Sequence, residues 1–119
     1  MSTHTIGKTG LALAVGALMV GALMMAAAPA ARAQQGVTVQ LFQFKPGQIE
    51  VKAGTRLTWT NQDDIAHTVT SGTPEQRDGR FELPLDGRGA TGIVPLEKPG
   101  TYPYFCSRHQ SMRGEIRVK

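Results

Sequence analysis

Between Val37 and Val118, apolar residues recur at every second position in short runs, and this period of two limits what the chain can build. Val37 and Val39, Ile49 and Val51, Leu57 and Trp59, and Ile116 and Val118 each alternate with polar or charged neighbours. Such alternation gives a strand one apolar face. Turn signals punctuate the runs: Pro46-Gly47, Ala53-Gly54, the Gly-rich stretch 86–90 and Pro99-Gly100. No run has the period of a helix. About eight short strands at this spacing predict an all-β sandwich or barrel, with Trp59 in the core. Two places break the pattern. After Leu41 the alternation slips by one residue, so that Phe42 and Phe44 take over, which predicts a bulge or a strand that bends between sheets. Residues 71–80 are rich in Gly, Pro and charge and read as loop.

The first third of the chain differs. Met1 to Gly10 is polar, Leu11 to Ala28 is almost wholly apolar, and Ala31-Arg32-Ala33 follows. That order describes a secretory signal peptide over residues 1–33, cleaved after Ala33. The other reading is a retained membrane anchor, since an 18-residue apolar run sits near the lower limit for crossing a bilayer. No twin-arginine pair opens the chain, which favours general secretion. With cleavage, residues 34–119 form one small domain. Without Lys8 and Arg32 the charges nearly balance, at about +2, and the basic residues are scattered, so nucleic acid is not an expected partner.

Cys106 is the only cysteine. A disulfide framework needs an even count, so in an exported chain Cys106 is a free thiol, an intermolecular bridge or a ligand. Its neighbours point to the last. His109 and Met112 follow at a C-x2-H-x2-M spacing, close enough for one tight loop to converge all three side chains. A second histidine must come from elsewhere. His67 is the candidate, because His4 falls in the leader. Two histidines, a cysteine and a weak axial methionine suit copper in electron transfer. Taken singly, Cys106 reads as a buried inert thiol, His67 as a core histidine and Met112 as packing; the combination argues otherwise. Zinc prefers four strong N or S ligands, or an open position for water. Haem would need C-x2-C-H, which is absent. A Cys–His hydrolase is a poor fit, because the pair sits three residues apart in a small β domain, so no enzyme is expected.

The stretches Asn61-Gln62-Asp63-Asp64-Ile65-Ala66-His67-Thr68-Val69-Thr70-Ser71 and Pro99 to Gly114, the latter with Tyr104-Phe105-Cys106-Ser107-Arg108-His109-Gln110-Ser111-Met112 at its centre, resemble the small blue copper proteins of the plastocyanin and amicyanin group. The short gap from His109 to Met112 is more like amicyanin. The resemblance spans roughly residues 37 to 119. It implies a cupredoxin-like Greek-key β-sandwich that binds one copper ion through His67, Cys106, His109 and, axially, Met112. It implies a periplasmic monomer, free of the membrane after cleavage, that carries single electrons between redox proteins such as a c-type cytochrome and a periplasmic dehydrogenase. A copper carrier or storage protein is the alternative, and a structural sandwich domain a third. The resemblance also implies that the Thr68 N–H donates to the Cys106 thiolate. Two departures stand out. The family often has Asn where Thr68 stands, and commonly a Pro between Cys and His, where this chain has Ser107-Arg108. Arg108 and Arg113 flank the loop, with no acid between Cys106 and Gly114, so a positive rim is expected around His109, which would be the electron port.

Overall fold

The computed structural model describes Ser2, Thr3 and residues 33–119. The expected leader, apart from Ser2, Thr3 and Ala33, lies outside the described residues, as does His4. No helix among the described residues is long and apolar enough to cross a membrane.

Nine strands form two packed sheets: β1 (Gln34–Gln40), β2 (Gln43–Lys45), β3 (Gln48–Val51), β4 (Thr55–Asn61), β5 (His67–Gly72), β6 (Arg77–Leu85), β7 (Thr91–Leu96), β8 (Gly100–Phe105) and β9 (Arg113–Val118). One sheet runs β2-β1-β4-β7 and the other β3-β9-β8-β5-β6. The chain passes repeatedly between the sheets, in the Greek-key manner expected. Most neighbours are antiparallel, but β1 lies parallel to β4, and β3 parallel to β9. The alternating residues meet between the sheets. Leu57 and Trp59 of one sheet and Val69, Tyr104 and Ile116 of the other are at most 1% exposed. Each fully buried side chain of this size contributes roughly 1.5–3 kcal/mol.

The structure departs from the sequence pattern in three places. The slip after Leu41 is a hairpin turn, not a bulge. Gln40 pairs with Gln43, leaving Leu41 and Phe42 as a two-residue loop with left-handed φ of 52° and 58°. That turn adds β2 and makes nine strands of the expected eight. The segment 71–80 is only in part a loop: β6 begins at Arg77, and Gly72 (φ 100°) lies at an irregularity in the β5–β6 register. A Cβ on Gly72 would stand 2.8 Å from the Asp78 nitrogen, so only glycine fits that close approach. Finally, β1 begins at Gln34, three residues before the apolar alternation, because its backbone pairs with β4 from Arg56 onward.

Candidate metal centre

The centre lies where β5 begins and β8 ends. His67 is the first residue of β5 and is wholly buried. The loop before it is shaped by Asn61, also 0% exposed. The Asn61 side-chain amide donates to the carbonyls of Ile65 (2.9 Å) and Leu85 (3.0 Å), and its oxygen accepts from the Asp63 N–H (2.9 Å). The polar stretch from Asn61 to Asp64 reads as loop in the sequence, but Asn61 is the last residue of β4 and organises the loop that follows.

Cys106 directly follows β8, on the face of Tyr102 and Tyr104, and is buried. The loop from Cys106 to Met112 is closed by its own backbone. Met112 N–H donates to His109 O (2.9 Å) and Cys106 N–H donates to Met112 O (3.0 Å). Met112 is buried beneath that loop, and His109 is half-buried at its outer side.

The structure brings together His67 and the Cys-His loop, 39 residues apart in the chain. The Cys106 Sγ stands 3.8 Å from His67 Nδ1 and 3.8 Å from His109 Nδ1. All three donor atoms lie within 4.8 Å of one another, and no other such cluster of His, Cys, Asp and Glu occurs among the described residues. These distances suit a shared ion. With bonds of about 2.3 Å to sulfur and about 2.0 Å to nitrogen, a separation of 3.8 Å corresponds to an angle near 120° at the metal. Two nitrogens and a sulfur at such separations suit a His2Cys copper site.

The groups behind the donors are in place. Thr68 N–H points at Cys106 Sγ at 3.4 Å. The Thr68 hydroxyl bridges to the neighbour of Cys106: it accepts from Ser107 N–H (2.8 Å) and shares a hydrogen bond with the Ser107 hydroxyl (3.0 Å). β5 is thus tied to the residue beside Cys106 although the family's usual Asn is missing.

Two contributors were not anticipated. The Asp63 carboxylate lies 2.8 Å from His67 Nε2. That hydrogen bond puts the ring proton on Nε2 and leaves Nδ1 free to face the sulfur. Burial raises the Asp63 pKa, but the Phe42 N–H, the His67 ring and the Leu41 N–H outweigh it and hold the carboxyl below its usual value. The second contributor is Phe42. Its ring stands edge-on to His67 (centroids 5.3 Å apart) and to His109 (4.9 Å). The slipped alternation at Phe42 and the Asp four residues before His67 were the only sequence traces of these two.

The positive rim is weaker than the sequence implied. Arg113 reaches Glu75, 3.4 Å away, which the fold brings over from the β5–β6 connection. Arg108 is exposed and keeps its charge at the surface.

Comparison with known proteins decides the family. A profile described as a cupredoxin-like domain matches residues 12–118. The chain belongs to the cupredoxin family. Its relatives include amicyanin-alpha of Methylorubrum extorquens, 34% identical over 85 residues that make up 70% of each chain. Plastocyanin of Scenedesmus fuscus is 31% identical over 64% of this chain and 86% of its own. Among solved structures, a purple cupredoxin from Nitrosopumilus maritimus superposes with a TM-score of 0.65 at 27% identity, covering 73% of this chain and 99% of that one. A reduced amicyanin variant shares the fold at 24% identity and a TM-score of 0.63, over 77% of this chain and 85% of its own. Copper is the ion of this family, one per chain, and the donor set of this cupredoxin fits it.

Proposed function

We propose that this cupredoxin is an exported type 1 copper protein that carries single electrons between redox partners in the periplasm. In this reading His67 Nδ1, Cys106 Sγ and His109 Nδ1 would hold the copper, with Met112 as a weak further ligand. The observation that carries it is the convergence of three donors, with the sulfur preset 3.8 Å from each nitrogen. When bound, the copper supplies one-electron chemistry. The chain's own residues do the rest. Asp63 fixes the His67 tautomer, and Thr68 fixes the distance between β5 and the Cys106 loop. Cys106 is itself fully buried, so water is kept from the sulfur. A cage already held by strands has little to rearrange between oxidation states, which suits rapid transfer. His109, half-buried on the outer loop, offers the shortest route to a partner.

Carriage of the ion itself is disfavoured by burial: His67 and Cys106 are 0% exposed, so release would require the loop to open. Catalysis at the centre lacks a cleft. Surface concavities of about 470 and 530 Å³ lie elsewhere, lined by residues around Arg113 and around Pro99, and neither includes a donor. The signal peptide over 1–33, cleavage before Gln34, a monomeric state, and a c-type cytochrome or periplasmic dehydrogenase as partner complete the proposal.

The test is a redox cycle against an oxidised c-type cytochrome. The chain loaded with Cu(I) should reduce the cytochrome, turn blue and keep one copper per chain. Loss of the copper to a Cu(I) chelator at a matching rate, with no cytochrome reduced, would show an ion carrier instead.

A further inference from the structure

The turn at Leu41-Phe42 is built from the wrong residues. A two-residue hairpin loop with both φ values positive favours Asn-Gly. Leu and Phe in the left-handed region cost on the order of 1–2 kcal/mol each. Such a conformation persists only where its surroundings over-determine it. Here the Asp63 carboxylate does so. One oxygen accepts the Leu41 N–H (2.8 Å), and the other accepts the Phe42 N–H (3.1 Å). Hydrogen bonds to a charged group contribute about 1.5–3 kcal/mol each, which matches the cost of the turn.

That second oxygen is the same atom that lies 2.8 Å from His67 Nε2. A single carboxylate, its side chain only 11% exposed, therefore holds both the turn and a donor of the metal centre. The turn in turn sets Phe42 against His67 and His109. It leaves Leu41 70% exposed and Phe42 43% exposed. Phe42 covers the two histidines, but Leu41 has most of its side chain in solvent.

We propose that Asp63 is a positioning residue that couples the exposed Leu41–Phe42 turn to His67, so that a redox protein pressing on the turn shifts the copper potential. The inference rests on the copper reading above. With oxidised copper on His67 the Nε2–H would be more acidic, and Asp63 Oδ2 would favour it over the Phe42 N–H that shares the same oxygen. Coupling of this kind is reciprocal. By whatever factor oxidation loosens the turn, a partner that binds the tight turn favours the reduced form by the same factor.

The test uses the copper-loaded chain. Amide exchange at residues 41 and 42 is followed by NMR in the Cu(I) form, and the reduction potential by voltammetry. Asp63→Asn should speed exchange at both amides at least tenfold and shift the potential upward, because Cu(II) loses a carboxylate behind its ligand. Leu41→Asn with Phe42→Gly makes a turn that needs no outside acceptor and guards against misfolding of the first variant. Added to that pair, Asp63→Asn should no longer speed exchange, and its effect on the potential should differ from its effect in the original chain. Exchange at 41 and 42 that ignores Asp63→Asn, or a potential shift of equal size in both backgrounds, would overturn the coupling while the blue colour still supported the copper site. A chain that never turns blue with Cu(II) would overturn both.

Discussion

At the residue scale, donors with rare chemistry are legible and their supports are not. Cys106, His109 and Met112 announce themselves because thiolate, imidazole and thioether seldom fall at such spacing for any other reason. Asp63 does not, since in the sequence it looks like its neighbour Asp64. The fold separates the two. Asp64 is 80% exposed and pairs with Arg88 at 2.8 Å, whereas Asp63 lies 11% exposed against His67. Thr68 carries a prediction of its own. Thr68→Val keeps the shape and the backbone N–H to the sulfur but removes the acceptor for Ser107 N–H. It should cost about 1 kcal/mol of stability, read as a lower urea midpoint of the copper-loaded chain. An unchanged midpoint would mean that Ser107 is held by its own loop. Met112→Leu should leave the protein blue but raise its reduction potential, because only a weak axial ligand is lost. Loss of all colour would make Met112 a principal ligand.

At the element scale, strands with one apolar face were readable and connections that depend on distant partners were not. β7 occupies Thr91–Leu96, the residues that the alternation and the flanking turn signals marked. The β1–β2 hairpin escaped because Leu41-Phe42 carries no Gly, Asn or Asp; what holds it is 21 residues or more away, at Asp63. β6 starts inside a stretch whose composition says loop, because Arg77 pairs with Gly72 of β5, and Asp78 and Gly79 fall in the irregularity between that pair and Thr70–Glu82. The β8–β9 pair gives a test of packing. Gly114 lies opposite Tyr104, and a Cβ there would overlap the Tyr104 ring. Gly114→Ala should therefore cost about 1–3 kcal/mol. A urea midpoint equal to that of the original chain would show that the ring can shift freely. Tyr104→Phe should behave differently. The Tyr104 hydroxyl and the Trp59 indole N–H are buried with no well-formed hydrogen bond, though Trp59 is near enough to offset a little of the rise that burial gives the Tyr104 pKa. Removing the hydroxyl relieves one unsatisfied group, so stability should stay level or rise by about 1 kcal/mol.

At the scale of the whole molecule, charge is arranged by the fold more than by the sequence. Arg113 looked like half of a positive rim until Glu75 came across to meet it. Arg108 is then the main cation of the loop, and partner steering should depend on it. The electron-transfer rate with an acidic partner should fall with ionic strength, and Arg108→Glu should lower the rate and flatten that slope. Indifference to both would remove the rim from recognition. Acid sensitivity has another source. Burial raises the Asp78 pKa, but the Ser71 hydroxyl, the Arg80 N–H and the Arg80 charge outweigh it and hold the carboxyl below its usual value. A carboxyl lowered in the folded state stabilises the fold above its unfolded pKa, and that stability is lost as pH falls through the folded value. As pH falls below the ordinary aspartate range of about 4 the urea midpoint should drop, and Asp78→Asn should flatten that drop. The account as a whole stands on one sulfur. The most direct measurement is the visible absorption of the purified chain on adding Cu(II), beside Cys106→Ser. The original chain should turn intensely blue with one equivalent of Cu(II), and the serine variant should stay nearly colourless. A band of equal strength in Cys106→Ser, or none in the original chain, would contradict the assignment of the centre.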